Sequence, residues 1–181
     1  MKQKMSEEIS IPEGISCSFS GKTLSVSKGS VSLSRKIDLP SVKIEVRADK
    51  ISLSAEKGNK KELKLIKSNI AHIKNLFSGA DKKYVYKLEA CNVHFPMTLK
   101  LEGSALLINN FLGEKVSRKA KILPGVEIEI KGPKITLSSN NKEHAGETAT
   151  NIEKATKIRY RDRRIFQDGI FIVEKPGAEA K

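Results

Sequence analysis

The 181-residue sequence predicts an α+β protein of two tandem, duplicated domains, each an antiparallel-rich sheet with one helix packed on one face. Three observations predict this class: an internal repeat, alternating apolar residues typical of strand hairpins, and one apolar stripe at helical spacing in each copy. The length suits one ordinary domain or two small ones, and the repeat favours two.

The repeat is clearest between residues 39–54, LPSVKIEVRADKISLS, and residues 123–138, LPGVEIEIKGPKITLS, where nine of sixteen positions are identical. In both stretches apolar and polar residues alternate on either side of a short turn, which predicts a hairpin. A second hairpin is predicted upstream in each copy, around Gly21 and around Gly103. The offset of 84 residues is too long for a solenoid unit and fits two copies of a small domain.

One helix is predicted after the repeated hairpin of each copy. Asn59, with Glu62 three residues later, resembles a capping box, and apolar residues then recur at helical spacing until Gly79. Asn140 predicts the start of the second helix, whose apolar stripe is thinner.

These elements give a predicted domain order with a short junction, which favours two domains in fixed relation over a flexible tether. We predict a flexible N-terminal tail over 1–10, a first α+β repeat over 11–93, a second α+β repeat over 94–174, and a C-terminal tail over 175–181.

The charge balance predicts a polyanionic partner. The chain has 34 basic and 21 acidic residues, a formal net charge of +13, which indicates nucleic acid first and an anionic membrane surface second. Aromatic residues are 5% and Trp is absent, which disfavours a protein that works mainly by stacking single-stranded bases.

The compartment is predicted to be the cytosol. No apolar run approaches the ~20 residues of a membrane helix, and the polar N-terminus has no signal-peptide core. Cys17 and Cys91 lie far apart without a CxxC motif, so we expect free, half-buried thiols.

The sequence predicts no enzyme. Phosphate-loop, zinc-protease and serine-hydrolase motifs are missing, and His72, His94 and His144 are scattered along the chain. Most carboxylates alternate with lysines on predicted strand faces, and no pair suggests general acid–base work. We therefore expect no catalytic residue and no metal site.

Two basic stretches are candidate nucleic-acid-binding surfaces. Four of the seven arginines fall within residues 158–164, and arginine matches phosphate oxygens better than lysine does. This surface comprises Lys157, Arg159, Arg161, Arg163 and Arg164, beside a turn predicted at Asp168–Gly169. The second surface comprises Asn110, Gly113, Lys115, Arg118 and Lys119, for which an ordinary loop between strands is an equally good interpretation. A basic chain without the aromatic box of sequence-reading modules favours a folded RNA, recognised by shape, phosphates and 2′-hydroxyls.

Three stretches resemble the family of large-subunit ribosomal protein six in its archaeal–eukaryotic form. They are His94-Phe95-Pro96-Met97, residues 108–115 (INNFLGEK) with Arg118 following, and residues 161–172 (RDRRIFQDGIFI). Residues 26–35 match more weakly, and the resemblance covers about residues 10–173.

The resemblance implies two duplicated domains and binding of large-subunit ribosomal RNA, mainly through the C-terminal domain, near the stalk base and the sarcin–ricin loop where translation factors act. It implies no catalytic activity, no cofactor and no small-molecule substrate, with neighbouring large-subunit proteins as further partners. Carried over by position, the RNA surface would include Arg161, Arg163, Arg164, Gln167 and Gly169; Lys157 and Arg159 are added from charge alone.

Two alternatives remain open from the residues. One is a free RNA-binding module or RNA chaperone, which would bind many RNAs weakly. The other is a basic enzyme whose site carries none of the motifs above.

Overall fold

The computed structural model describes residues 3–47 and 49–177, which form an α+β structure as predicted. The chain divides into two compact units, Met1–Lys82 and Lys83–Lys181. This division falls earlier than the predicted boundary between residues 93 and 94. The reason is that the strand after the first helix pairs with strands of the second unit.

The first unit forms two antiparallel three-stranded sheets, with strand orders β2-β3-β4 and β1-β6-β5, and one helix. Its elements are β1 (Gln3–Ser10), β2 (Ser16–Ser20), β3 (Thr23–Lys28), β4 (Val31–Lys36), β5 (Lys43–Val46), β6 (Lys50–Gly58) and α1 (Lys60–Asp81).

Period-two alternation builds the core of this unit. Leu24 and Val26 of β3 and Ile51 and Leu53 of β6 are fully buried, while their polar neighbours face outward. Helix α1 adds Ile66, also fully buried. Burying one such aliphatic side chain contributes about 1.5–3 kcal/mol, so these alternating positions account for much of the stability of the unit.

Helix α1 begins where the sequence predicts. Asn59 Oδ1 accepts a hydrogen bond from the Lys61 amide at 2.8 Å, and Glu62 Oε2 accepts one from the Asn59 amide at 2.9 Å, which completes a capping box. The prediction that Gly79 ends the helix is wrong, because the buried face continues through Ala80 and the helix runs to Asp81.

Strand β1 corrects the predicted N-terminal tail over residues 3–10. It pairs antiparallel with β6, and Ile9 is 6% exposed while Met5 packs against the same core. The stretch resembles a tail in the sequence because it is mostly polar, and the core-facing side of the strand carries few apolar residues. Residues 1–2 and 178–181 of the predicted tails lie outside the described residues.

The second unit repeats this architecture and extends it. Its sheets have orders β8-β9-β10 and β11-β12-β7-β13, all antiparallel, and one helix packs against them. Its elements are β7 (Tyr84–Cys91), β8 (Thr98–Glu102), β9 (Ala105–Asn109), β10 (Arg118–Lys121), β11 (Glu127–Lys131), β12 (Lys134–Ser139), α2 (Lys142–Ala155) and β13 (Gly169–Glu174).

The four predicted hairpins are confirmed. The repeated stretches form β5–β6 and β11–β12, and the upstream hairpins are β2–β3 and β8–β9. Strand β7 pairs with β12 in the second unit as β1 pairs with β6 in the first. Strand β13 has no counterpart in the first unit and pairs with the other edge of β7. Strand β13 therefore connects the segment that follows α2 to the four-stranded sheet.

Helix α2 begins one residue later than predicted. Asn141, rather than Asn140, is its N-cap, and its Oδ1 accepts hydrogen bonds from the amides of Glu143 at 3.0 Å and His144 at 3.4 Å. The thin apolar stripe is confirmed as a buried face of small residues and one isoleucine: Ala145, Thr148, Ala149 and Ile152.

Both cysteines are free thiols, but only Cys17 is half-buried, and burial raises the pKa of its thiol. Cys91 is exposed, which corrects the expectation for that residue. Neither described helix is long and apolar enough to cross a membrane.

Candidate nucleic-acid interface

Both predicted surfaces lie in the second unit. We call residues 157–168, between α2 and β13, the Arg segment, and residues 110–117, between β9 and β10, the β9–β10 loop. A third stretch, residues 93–97, contacts both of them through the bonds described below.

The Arg segment is fixed at both ends. At its start, the buried Thr156 hydroxyl donates to the Glu153 carbonyl at 3.2 Å and accepts from the Ile170 amide at 2.9 Å, which ties the end of α2 to β13. In its middle, the Asp162 carbonyl accepts hydrogen bonds from the amides of Ile165 and Phe166 and closes a turn. The prediction of a turn at Asp168–Gly169 is wrong, because β13 already begins at Gly169.

Asp168 connects the end of the Arg segment to residues 93–94. Its side chain is 1% exposed, Oδ1 accepts from the amides of Val93 at 2.8 Å and His94 at 3.1 Å, and Oδ2 lies 2.7 Å from His94 Nδ1. Burial acts to raise the pKa of Asp168, but the hydrogen bonds from His94 and Val93, with the charge of His94, outweigh it and lower the pKa. The carboxylate is therefore held ionised as a structural acceptor.

A stack of three side chains extends from this carboxylate to the surface. The His94 and Phe166 rings are stacked with centroids 5.1 Å apart, and the Arg161 guanidinium lies 4.9 Å from the centre of the Phe166 ring. A cation over an aromatic face is held by the ring quadrupole. Arg161 is thus positioned through Phe166 and His94 by a buried acid.

Arg164 makes more side-chain hydrogen bonds than the other arginines of the Arg segment. Its guanidinium makes Nε and Nη2 contacts with both carboxylate oxygens of Asp162, the shortest at 2.8 Å, and its carbonyl accepts from Gln167 Nε2 at 3.1 Å. The hydrogen bond from Arg164 lowers the pKa of Asp162. Because this pair is exposed, we assign it an orienting role and little stabilisation.

The β9–β10 loop has a left-handed backbone that explains two of its residues. Asn110 has φ 57° and donates from Nδ2 to the Pro96 carbonyl at 3.1 Å. Gly113 has φ 77°, a left-handed conformation that favours glycine, and a Cβ there would lie at an ordinary contact distance of 3.5 Å from the Phe95 ring. The loop is therefore an ordered structure that packs against residues 95–96.

Arg118 joins the two predicted surfaces. Nε and Nη2 donate to the two carboxylate oxygens of Glu114 at 2.8 and 2.6 Å, and Nη1 donates to the carbonyls of Ala155 at 2.9 Å and Lys157 at 3.3 Å. Its guanidinium also lies 4.2 Å from the centre of the buried Phe111 ring. The hydrogen bond from Arg118 lowers the pKa of Glu114, and the charges of Arg118 and Arg161 act in the same direction. Arg118 therefore donates four hydrogen bonds within the second unit. These bonds link the β9–β10 loop to the end of α2 and the start of the Arg segment.

The cations around Arg118 face solvent. A cleft of about 360 Å³ between β10, the end of α2 and the Arg segment is lined by five basic residues and one alanine: Arg118, Lys119, Lys154, Lys157, Arg159 and Ala155. Within residues 3–47 and 49–177, no ion pair involves the exposed side chains of Lys115, Lys119, Lys157, Arg159 or Arg163. A cleft lined by one sign of charge concentrates anions.

Gly169 is the buried member of the predicted residue set, and Lys154 lies near that set without belonging to it. A Cβ at Gly169 would lie 3.0 Å from the Phe171 ring, so a larger side chain there would disturb local packing. Lys154, which lines the basic cleft, was missed because it sits within the α2 sequence pattern. Asp168, His94 and Phe166 were not recognised as one network, although all three fall within the stretches that carry the family resemblance.

Among the described residues, no group of three His, Cys, Asp or Glu side chains is arranged to hold a metal ion.

Fold and site together define a class: a duplicated α+β protein with a preorganised cationic surface of the kind suited to phosphate contacts. The sequence model described as "Ribosomal protein L6" matches residues 95–169, which span this surface from Phe95 to Gly169.

Two curated relatives extend the similarity to nearly the whole chain. One is "Large ribosomal subunit protein uL6" of Methanosarcina mazei, 41% identical over 97% of this chain and 99% of the relative. The other is the protein of the same name from Methanococcus vannielii, 39% identical over 94% of each chain. The chain belongs to the ribosomal protein L6 family, as the resemblance predicted.

Proposed function

We propose that this chain is a structural component of the large subunit of the cytoplasmic ribosome, where it binds large-subunit ribosomal RNA through its second unit. The observation that carries the proposal is the basic cleft around Arg118, whose exposed cations lack carboxylate partners among the described residues. The names of the relatives support the ribosomal assignment.

The clustering of unpaired cations supports phosphate binding at this place. Among the described residues, exposed lysines without ion pairs also occur on α1, such as Lys64, but Lys119, Lys154, Lys157 and Arg159 line one cleft. Binding of a phosphate to an unpaired cation does not require an internal ion pair to break first. The Arg segment is also held in shape before any ligand arrives, which lowers the entropy lost on binding.

A folded RNA is the polyanion that fits best. Exposed arginines on an ordered turn present planar donors to phosphate oxygens, and double-stranded RNA is recognised mainly through phosphates and 2′-hydroxyls. This role needs no catalytic group. From the family resemblance we further propose that the protein lies near the stalk base and the sarcin–ricin loop, beside other large-subunit proteins and near the sites of translation factors.

The test removes unpaired cations without disturbing the network beneath them. Lys157, Arg159 and Arg163 are changed together to Ala, while Arg161, Arg164 and Arg118 keep their partners. Binding to purified large-subunit ribosomal RNA is measured across a salt series. If each side chain neutralises one phosphate of a duplex, the slope of log K against log salt falls by about 0.9 per residue, or roughly 2.7 in all.

A matched control changes three exposed lysines of α1: Lys64, Lys67 and Lys74 to Ala. This removes equal charge and preserves helix propensity. We expect the control to retain most of the slope. If both triple variants lose affinity equally, net charge alone explains binding and the assignment to the second unit fails.

A second measurement distinguishes a ribosomal component from a free RNA chaperone. The tagged chain is expressed in an archaeal host and the ribosomal subunits are separated on a high-salt sucrose gradient. We expect it to co-sediment with the large subunit in about stoichiometric amount. Recovery only at the top of the gradient would support the chaperone instead.

A further inference from the structure

Tyr160, in the middle of the Arg segment, has a conformation and an exposure that the phosphate-binding role does not explain. Its side chain is fully exposed, with 104% relative accessibility, between Arg159 and Arg161, which are also exposed. Its φ is 59°, in the left-handed region that glycine and asparagine adopt readily and that is unusual for a bulky side chain. An aromatic ring is thus held in solvent at a conformational cost.

Other aromatic rings of the site are occupied by protein groups. The Phe111 ring carries the Arg118 guanidinium at 4.2 Å, and the Phe166 ring carries Arg161 at 4.9 Å and stacks on His94 at 5.1 Å. Tyr160 makes no hydrogen bond or ring contact with any described residue. Both faces of its ring are therefore open.

We propose that Tyr160 stacks on an unpaired base of the bound RNA, at a bulge, a loop or a strand end. An aromatic face stacks on any base, and Arg159 and Arg161 on either side supply donors for the phosphates that flank it. The contact adds selection for an unstacked nucleotide to a surface that otherwise contacts the RNA backbone. This inference rests on the function proposed above.

The first test separates stacking from bulk and from the hydroxyl. Tyr160→Phe keeps the ring, and Tyr160→Leu keeps an apolar side chain without a π face. Alanine substitution of a stacking residue costs between about fivefold and a hundredfold in affinity. With purified large-subunit ribosomal RNA, we expect the Phe variant to bind like the wild type and the Leu variant to bind at least fivefold more weakly. Equal binding by the Leu variant, or a comparable loss in the Phe variant, would overturn the proposal.

A glycine variant tests whether the conformational cost is retained for binding. Tyr160→Gly removes the ring and adopts φ 59° without strain. We expect its melting temperature to equal or exceed that of the wild type while RNA affinity falls as in the Leu variant. Loss of affinity is then not a consequence of unfolding.

A fluorescence measurement locates the contact. Because the sequence has no Trp, Tyr160→Trp gives a single-tryptophan reporter at the proposed stack. We expect RNA to quench it strongly, and to leave a control reporter, Leu65→Trp on the partly exposed side of α1, almost unchanged. Unquenched emission from the Tyr160→Trp variant in an RNA complex would contradict stacking.

The outcomes separate this inference from the proposed function. If the wild type does not bind the RNA, the proposed function itself is wrong. If the wild type binds and the Leu and Gly variants bind equally well, only the role of Tyr160 is wrong. If naked RNA is bound normally but the Leu variant fails to join the large subunit, Tyr160 contacts a protein and base stacking is excluded.

Discussion

Replacement of Arg118 by Ala is expected to destabilise the second unit by removing the link between its two basic stretches. The change removes two hydrogen bonds to Glu114, two to main-chain carbonyls and the cation over Phe111. It also leaves the Ala155 and Lys157 carbonyls without this donor.

The size of the destabilisation depends on how exposed each lost contact of Arg118 is. Glu114 is 41% exposed, so the ion pair contributes at most about 1 kcal/mol. The part-buried bond to the Ala155 carbonyl contributes about 1–2 kcal/mol and the cation–π contact about 0.5–1 kcal/mol. The total is about 3 kcal/mol, which lowers the melting temperature of a unit of this size by at least about 10 °C.

Differential scanning calorimetry measures the effect, with two companion variants. Arg118→Lys keeps the charge but loses the planar fork, so most of the destabilisation should remain. Lys119→Ala, next along β10, removes an exposed and unpaired cation and should leave the melting temperature unchanged. An Arg118→Ala protein that melts within about 2 °C of the wild type would refute the reasoning.

The pH dependence of the stability difference between the wild type and Arg118→Ala provides a further check. The folded-state pKa of Glu114 is lowered by Arg118, so its contribution to stability is present above the ordinary carboxyl value, about 4.3. That contribution is lost as pH falls through the lowered folded value. The stability gap between the wild type and Arg118→Ala should therefore narrow below about pH 4. A gap that widens in acid would contradict the assigned pair.

Three further predictions concern packing and caps. Asp168→Asn should destabilise the second unit by about 2–4 kcal/mol, because three donors lose a charged acceptor, and calorimetry with RNA titration should show the affinity falling as well. Gly146→Ala should destabilise by about 1–3 kcal/mol despite the higher helix propensity of Ala, because its Cβ would lie 2.9 Å from Tyr86 Oη; urea unfolding measures this. Asn59→Ala should cost about 1 kcal/mol in the first unit by the same method, and Asn59→Asp should restore most of it.

The repeat and its hairpins were predictable because their signals are local. Alternation in residues 39–54 and 123–138 specifies strands, and nine identities specify a shared fold. Asn59 and Glu62 likewise satisfy a rule that spans three residues. Strand β1 was not predictable in this way, since its polar residues pair with β6 through the backbone, which carries no sequence signal.

The candidate site was predictable in composition and not in arrangement. The Arg cluster is visible in the sequence, but Arg118 bonds to the end of α2, 37 residues away, and Asp168 bonds to His94 across 74 residues. Such contacts depend on the tertiary fold. For the same reason the sequence shows Arg118 only as a cation near the loop, and its four hydrogen bonds within the protein are visible only in the structure.

The position of β13 in the chain has a consequence for synthesis of the protein. Domains fold as units, and the N-terminal part emerges first during translation. The first unit needs only residues up to about 82, so it can fold while the rest is being made. The four-stranded sheet of the second unit and the Asp168 contacts that order the basic surface need residues 168–174, which are translated after all the other strands. A nascent or truncated chain lacking them can contain one folded unit while the proposed RNA-binding surface is still unordered, which would limit premature capture of RNA by incomplete chains.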